Sequence, residues 1–260
     1  MTAGTAGRLL ADDEPTPVLL HRPHGAAPFL ITCDHAGRRI PRRLGTLGLS
    51  DAERQRHIGW DIGAWAVSTL LADALDAAAI GQAYSRLVID CNRAPHWPSA
   101  VPAVSESTPI PGNTGLDDLA RAARVAEIHA PYHAAVAAMV HARLAGGAPF
   151  MYVAMHSFTP IYKGVARPWH AGVLFDGPDP LSAAMLDLLR GEPDLVVGAN
   201  QPYVLSSSAD YSVPVHAQAN AVAYLELEIR QDLIADTAGQ QTWAARLARL
   251  LPQAWQRRTG

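Results

Sequence analysis

The feature that most constrains the fold of this chain is a repeated pattern, in which a short apolar run stops at a polar cluster and a stretch with helical spacing follows. Residues 29–33 form the first such run, and it ends in Asp34-His35-Ala36-Gly37. Short apolar runs bounded by turn residues are typical of buried strands. The same pattern predicts further strands over residues 83–90, 150–154, 171–175, 195–197 and 221–229.

Stretches with helical spacing lie between these runs. They span residues 61–77, 117–144, 180–190 and 242–255. Ser50 and Glu53 resemble a capping box at the start of a short helix, and Pro131 is expected to kink or split the second stretch because it lacks an N–H. Alternating strands and helices favour a sheet that is covered on both faces. The sequence therefore predicts an α/β fold with a mixed, mostly parallel sheet and helices on both faces.

Length and composition favour one domain. The chain has 260 residues, of which 49% are hydrophobic and 17% charged, so it can bury a large core. Residues 1–16 are polar and contain proline, which predicts a flexible N-terminal segment, and residues 17–260 are expected to form a single α/β domain. Residues 94–115 contain five prolines without periodicity. A loop of that length inside a compact domain is often functional.

Charge and cysteine content exclude several classes of partner. A net charge of −3 provides no basic surface for nucleic acid or an anionic membrane. The chain has no apolar run of the about 18 residues that a membrane-spanning helix needs, and its N-terminus lacks the apolar core of a signal peptide. Cys33 and Cys91 are too few for a disulfide framework and are expected to be buried thiols. We therefore expect a cytoplasmic protein without nucleic-acid or membrane partners.

Two histidines stand where predicted strands end. His35 and His156 each follow an apolar run, and ligands of open α/β sheets collect beyond the carboxyl ends of the strands. Catalytic zinc usually has three protein ligands of histidine and carboxylate type. Asp61 is the predicted third ligand and Asp34 its rival, while the competing interpretations are a helix N-cap for Asp61 and hydrogen-bonded turn histidines. The predicted centre is one Zn²⁺ ion held by His35, Asp61 and His156.

Carboxylates and arginines lie at the ends of other predicted strands. Glu228 is the predicted general base, because a carboxylate beside a metal can accept a proton from water and pass it to a leaving amine. Glu226 lies on the same face of the strand as Glu228. For Glu226, a position on a surface strand, paired with an arginine, is a better interpretation than a catalytic role. Asn92 and Arg93 match a substrate carboxylate, and Arg93 is also a candidate for stabilising charge during catalysis. Further candidates for substrate binding are Arg167, Arg230 and His133, whereas Arg86 is expected to be a structural ion-pair partner.

A second pair of histidines resembles part of a metalloprotease helix. His129 and His133 have the spacing of H-E-x-x-H, but Ala130 replaces the glutamate that supplies the base, and Pro131 disturbs the helix. We therefore expect no zincin, and His133 remains a candidate for lining the site. The sequence also lacks the G-x-G-x-x-G, P-loop and G-x-S-x-G motifs, which argues against nucleotide binding and serine hydrolysis.

Several segments together resemble the N-formylglutamate amidohydrolase family. They are CDHAGRRIP, HIGWDIGA, YSRLVIDCNRAP, APYH, HSFTPIYKGVARPW, NQPY and LEIRQDL, between residues 33 and 233. The family is similar in fold to zinc carboxypeptidases and aspartoacylase, so the resemblance implies a phosphorylase/hydrolase-like α/β domain. In those enzymes a D-x-N-R pattern is similar to residues 90–93, and a catalytic glutamate on a late strand is similar to Glu228.

The resemblance implies zinc-dependent hydrolysis of an N-acyl amino acid, with N-formyl-L-glutamate giving formate and glutamate. It implies metal binding by His35 and His156, a base at Glu228, and substrate binding by Asn92 and Arg93. The carboxypeptidase pattern H-x-x-E becomes His35 to Arg38 here, which leaves the carboxylate ligand open. Two alternatives are a zinc carboxypeptidase or amidase that acts on short peptides, and a non-catalytic binding protein with the same fold.

Overall fold

The computed structural model describes residues 8–258. The strands in this range are β1 Val18–His21, β2 Phe29–Cys33, β3 Ala78–Gln82, β4 Val104–Ser105, β5 Thr108–Pro109, β6 Met151–Phe158, β7 Ile161–Tyr162, β8 Val165–Ala166, β9 Ala171–Leu174, β10 Val197–Ala199 and β11 Ala223–Arg230. The α-helices are α1 Asp51–Gln55, α2 Ala64–Leu75, α3 Asp118–Arg124, α4 Ala130–Ala145, α5 Pro180–Arg190 and α6 Thr237–Arg257.

Seven of the strands form one sheet in the order β1-β3-β2-β6-β11-β9-β10. The pairs β3–β2, β2–β6, β6–β11 and β9–β10 are parallel, whereas β1–β3 and β11–β9 are antiparallel. The prediction of a single α/β domain with a mixed, mostly parallel sheet is therefore confirmed. The central strands β2, β6 and β11 run in the same direction, so their carboxyl ends meet at one edge of the sheet.

Side-chain alternation along the strands divides the core into two layers. In β6, Met151, Val153 and Met155 pack on the face that α2, α5 and α6 cover, while Tyr152 and Ala154 pack on the face that α4 covers. Because successive strand residues point to opposite faces, one strand contributes to both layers. Full burial of each large apolar side chain stabilises the fold by roughly 1.5–3 kcal/mol.

The predicted strand over residues 83–90 is wrong. The strand β3 lies just before these residues, in an alanine-rich run. Because alanine favours helices, this run resembled the end of a helix in the sequence. Leu87 and Val88 are nevertheless buried, in a turn. Their carbonyl oxygens accept hydrogen bonds from the side chains of Asn113 and Arg124, at 2.8 Å in each case. Side chains thus replace the ladder partners that a buried backbone requires.

Several helix predictions are confirmed, with differences at their ends. The capping box of Ser50 and Glu53 begins α1, and the helix over 180–190 is present as predicted. The stretch over 117–144 is divided into α3, a π-helical turn and α4, with Pro131 in the first turn of α4, directly after the π-helical turn. α6 begins earlier than predicted, because Asp236 caps it by accepting from the N–H of Gly239.

The N-terminal segment differs from the sequence expectation. Of the predicted flexible residues 1–16, residues 1–7 lie outside the described part of the chain. From residue 8 the segment packs against the domain: Leu9 and Leu10 are buried, and their N–H groups donate to the carboxylate of Glu127 at 2.6 and 2.9 Å. The burial of Leu9 and Leu10 and the hydrogen bonds to Glu127 therefore hold this segment against the domain, although its composition predicted a flexible segment.

Two further sequence expectations concern cysteines and membranes. Cys33 and Cys91 are buried and carry free thiols, as predicted. Between residues 8 and 258, no helix has both the length and the apolar character needed to cross a bilayer.

Candidate active site

Three buried side chains converge at the carboxyl edge of the sheet. One ligand atom from each of His35, Asp61 and His156 lies within 4.8 Å of the other two. Oδ2 of Asp61 is 3.2 Å from Nδ1 of His35 and 2.9 Å from Nδ1 of His156. Burial would raise the pKa of Asp61, but the two imidazoles lower it below its usual range, which favours the carboxylate. Two imidazole nitrogens and one carboxylate oxygen match the donor set of a catalytic zinc site, so this group can bind a metal ion.

Neighbouring elements bring these residues together. His35 follows β2, and His156 lies near the end of the adjacent parallel strand β6, which is longer than predicted. The N–H of Asp61 donates to the carbonyl of His35 at 3.0 Å, and the carboxylate of Asp61 accepts from the N–H of Ser157 at 3.3 Å. α2 begins after Gly63, so the N-cap interpretation of Asp61 is wrong. Gly63 has φ +81°, and a Cβ there would lie 2.1 Å from a backbone oxygen.

A second carboxylate orients His35. Nε2 of His35 lies 2.7 Å from Oδ1 of Asp90, whose Oδ2 accepts from Nη2 of Arg86 at 2.6 Å. Burial alone would raise the pKa of Asp90, yet Arg86 and His35 hold it well below its usual range. Nη1 of Arg86 is also 3.5 Å from Asp61, which agrees with the structural ion-pair role expected for this arginine. A carboxylate at the outer nitrogen favours a proton on Nε2, so Nδ1 of His35, which lies 3.2 Å from Asp61 and 3.4 Å from Nη1 of Arg86, carries the lone pair that can bind a metal.

Two buried glutamates of β11 lie beside this group. Glu228 is paired in register with His156 on β6, and Glu226 lies two residues earlier on the same face. In both, Oε2 is buried without a hydrogen-bond partner among the described residues. Burial raises the pKa of each carboxyl to about 8. The surface-strand interpretation is therefore wrong for Glu226, and Glu228 has a pKa suited to proton transfer near neutral pH.

These groups open into one cavity of about 480 Å³. Its wall includes all three candidate metal ligands, both glutamates, Asn92, Arg93 and Asp210. The loop over 94–115 contributes residues from Ser99 to Glu106, in agreement with the functional role expected for it. Aromatic side chains complete the wall, from Phe158, Tyr162 and Tyr203. The volume falls in the range of small-molecule sites.

Asn92 and Arg93 lie in the cavity wall as predicted. Oδ1 of Asn92 accepts from the N–H groups of Tyr211 and Ser212, and its Nδ2 donates to Asp210. Arg93 donates from Nη1 to the carbonyl of Asn92 at 2.7 Å, and its side chain is 26% exposed. The side-chain amide of Asn92 thus ties its own loop to residues 210–212. The next residue, Arg93, contributes a cation to the cavity wall.

The other predicted substrate-binding residues lie elsewhere. Arg167 is outside the cavity wall but packs over the rings of Tyr162 and Tyr203, at 4.5 and 4.9 Å from their centroids. Its Nη2 donates to the hydroxyl of Tyr203, and its buried Nη1 has no hydrogen-bond partner in the described structure. Arg230 is wrong as a cavity residue, because its guanidinium turns away to Asp232.

His133 does not line the cavity either, which corrects the prediction. Its Nε2 donates to the carbonyl of Cys91 at 2.8 Å, while Nε2 of His129 donates to the carbonyl of Arg93 at 3.0 Å. Because these carbonyls flank Asn92, the two histidines clamp the backbone on both sides of it. The spacing that resembled a metalloprotease helix thus serves to hold the loop.

A buried pair of histidines, His133 and His216, predicts a pH-dependent stability; Nδ1 of His133 lies 2.9 Å from Nε2 of His216. Burial lowers the pKa of His216 to about 4 and that of its partner His133 well below the ordinary value. Because the unfolded chain then binds more protons, stability is lost as the pH falls from about 6.5 toward about 4. Replacing His216 with Gln should reduce the loss between about pH 7.5 and about pH 5 by roughly 1–2 kcal/mol, measured by urea unfolding.

The control for this prediction is the exposed His24. His24→Gln should keep the pH dependence of the wild type. Equal pH dependence in His216→Gln and the wild type would contradict the assignment of this effect to the buried pair.

Comparisons with known proteins agree with this geometry. The family model described as N-formylglutamate amidohydrolase matches residues 27–235. A gene product of Agrobacterium tumefaciens with a known crystal structure is 37% identical, with 96% of this chain and 98% of that chain covered and a TM-score of 0.92. The N-formylglutamate amidohydrolase from Ralstonia eutropha JMP134 is 20% identical, with 95% and 100% covered and a TM-score of 0.70, and shares the fold.

No functionally curated protein matches the chain. The family match nevertheless covers most of the sequence and includes each element that carries the cavity. The chain therefore belongs to the N-formylglutamate amidohydrolase family of hydrolases.

Proposed function

We propose that this protein is a zinc-dependent amidohydrolase that cleaves an N-acyl amino acid, with N-formyl-L-glutamate giving formate and glutamate. The observation that carries this proposal is one cavity that holds a buried His/Asp/His group beside the unpartnered carboxyl of Glu228. Family membership and the likeness to the Ralstonia enzyme support the substrate class.

One Zn²⁺ ion is assigned to His35, Asp61 and His156. When bound, it supplies a Lewis acid for the acyl carbonyl and for the attacking water. Three protein ligands of this kind leave a coordination position free for catalysis. The outer carboxylate of Asp90 keeps Nδ1 of His35 available for the ion.

Glu228 is assigned the proton transfers. Its carboxylate accepts a proton from the water that attacks the acyl carbon, and it then donates that proton to the amine nitrogen as the carbon–nitrogen bond breaks. Burial raises the pKa of this carboxyl to about 8, which favours return of the proton to the amine, and the charge of a bound Zn²⁺ would favour the carboxylate form that accepts it. Arg93 is assigned to the negative charge that develops on the carbonyl oxygen.

Arg93 and Arg167 have different roles in the proposed binding of the substrate, and Arg93 is assigned to a substrate carboxylate. Arg93 and the adjacent Asn92 lie in the cavity wall. Arg167 lies outside the wall and packs over the rings of wall residues Tyr162 and Tyr203, and its buried Nη1 has no hydrogen-bond partner among the described residues. Because Arg167 contacts both rings from outside the wall, we assign it to substrate binding through the positions of Tyr162 and Tyr203 and not through direct contact. A cavity of about 480 Å³ has room for a small dianion of this kind.

The experiment combines metal analysis with product analysis. The purified protein should contain about one zinc per chain and release formate from N-formyl-L-glutamate. Chelation should abolish turnover, and added Zn²⁺ should restore it. Zinc-loaded protein that releases no formate but trims short peptides would replace this function by the peptidase alternative, and zinc-loaded protein inert toward both would favour a binding protein.

A further inference from the structure

We infer that Asp34 is a positioning residue for the metal ligand His156, and that Tyr132 holds Asp34 in place for this task. The inference rests on the proposed zinc site and extends it. Asp34 is adjacent in sequence to the ligand His35 but acts on the other imidazole. This assigns a function to a buried acid that the proposed mechanism does not otherwise use.

The contacts of Asp34 point to this role. The residue is 1% exposed, and Oδ1 accepts a hydrogen bond from the hydroxyl of Tyr132 at 2.7 Å. Oδ2 is buried without a hydrogen-bond partner in the described structure and lies 3.9 Å from Nε2 of His156. A buried carboxylate oxygen without a donor is costly. An approach of about 1 Å toward Nε2 would form the missing hydrogen bond.

The ring of His156 separates the two carboxylates. Nδ1 faces Asp61 at 2.9 Å, and Nε2 faces Asp34 on the outer side of the ring. Asp34 is therefore on the side of the imidazole away from the other ligand atoms. An Nε2–H directed at Asp34 leaves the lone pair of Nδ1 for the metal and makes that nitrogen more basic.

His35 has the same arrangement, and there the hydrogen bond between the outer nitrogen and a carboxylate is already formed. Its Nε2 lies 2.7 Å from Asp90, and its Nδ1 faces Asp61. Each candidate imidazole ligand thus has its outer nitrogen against its own buried carboxylate. Asp90 is held by Arg86 and Asp34 by Tyr132, so each carboxylate is itself oriented by a further side chain.

The test measures zinc affinity without substrate. Metal-stripped full-length protein is titrated with Zn²⁺ against a chromophoric chelator. Asp34→Asn should raise the Kd for Zn²⁺ by about 10–100-fold, the usual effect of losing an outer partner of a ligating histidine. Tyr132→Phe should raise it less. The double variant should match Asp34→Asn alone, because the tyrosine acts through Asp34.

The matched control is Tyr84→Phe, which removes another tyrosine hydrogen bond, 2.8 Å to the carbonyl of Pro15. Its Kd for Zn²⁺ should equal that of the wild type. An unchanged Kd in Asp34→Asn, or additive effects in the double variant, would overturn the inference. If Asp34→Asn does not fold, the comparison of Tyr132→Phe with Tyr84→Phe decides alone. A wild type that binds no Zn²⁺ would instead contradict the proposed function.

Discussion

Replacing Glu228 with Gln is expected to leave zinc bound and to reduce kcat for formate release by about 100-fold or more. The substitution keeps the size of the side chain but removes the group that accepts a proton and returns it. Glu228 is not among the candidate ligands, so the metal site should remain intact. Steady-state kinetics, together with zinc content per chain, measure the two parts of this prediction.

Glu226 provides the matched control for Glu228. It lies on the same strand and face, is equally buried and has the same raised pKa, but its position in register is opposite Ala154 rather than His156. Glu226→Gln should therefore reduce kcat far less than Glu228→Gln. Equal losses in the two variants would remove Glu228 from the proton-transfer role, and so would unchanged turnover in Glu228→Gln.

The second large effect is expected from Asp61→Asn. This change removes the anionic ligand and should cost more zinc affinity than the about 10–100-fold expected for an outer partner such as Asp34. Formate release should fall in proportion to the zinc content. Elemental analysis after dialysis, followed by activity with added Zn²⁺, measures both quantities.

The zinc contents of Asp61→Asn and Asp34→Asn also decide which of the two aspartates is the third ligand. Asp187→Asn, at an exposed position on α5, should keep full zinc content and is the control for the same chemical change. Full zinc retention in Asp61→Asn, with loss in Asp34→Asn, would exchange the roles of the two aspartates.

Part of the site could be predicted because local sequence reports strand ends. Apolar runs that stop at His35 and just before His156 identified two imidazoles near the carboxyl ends of parallel strands. In β2 and β6 these ends are neighbours, so the two side chains meet. Proline at position 131 likewise predicted the interruption of a helix, since its effect depends only on the backbone of that helix.

The errors occurred where burial is achieved without a local pattern. Leu87 and Val88 are buried in a turn because side chains from distant segments bind their carbonyl oxygens, and no periodicity in the sequence reports such partners. Arg230 and His133 have the chemistry of substrate-binding groups, but outside the cavity Arg230 donates to Asp232 and His133 donates to the carbonyl of Cys91.

By itself, the sequence determined the alternation of strands and helices, the two histidines of the candidate metal site and the acid on the last strand, because apolar periodicity and residue type act over short distances. Only the tertiary structure decided that Asp61 faces Nδ1 of both histidines while Asp34 lies behind one of them. It also decided that Glu226 is buried rather than on the surface. These outcomes depend on how segments far apart in the chain pack against each other, and side-chain direction across such contacts is not encoded in local spacing.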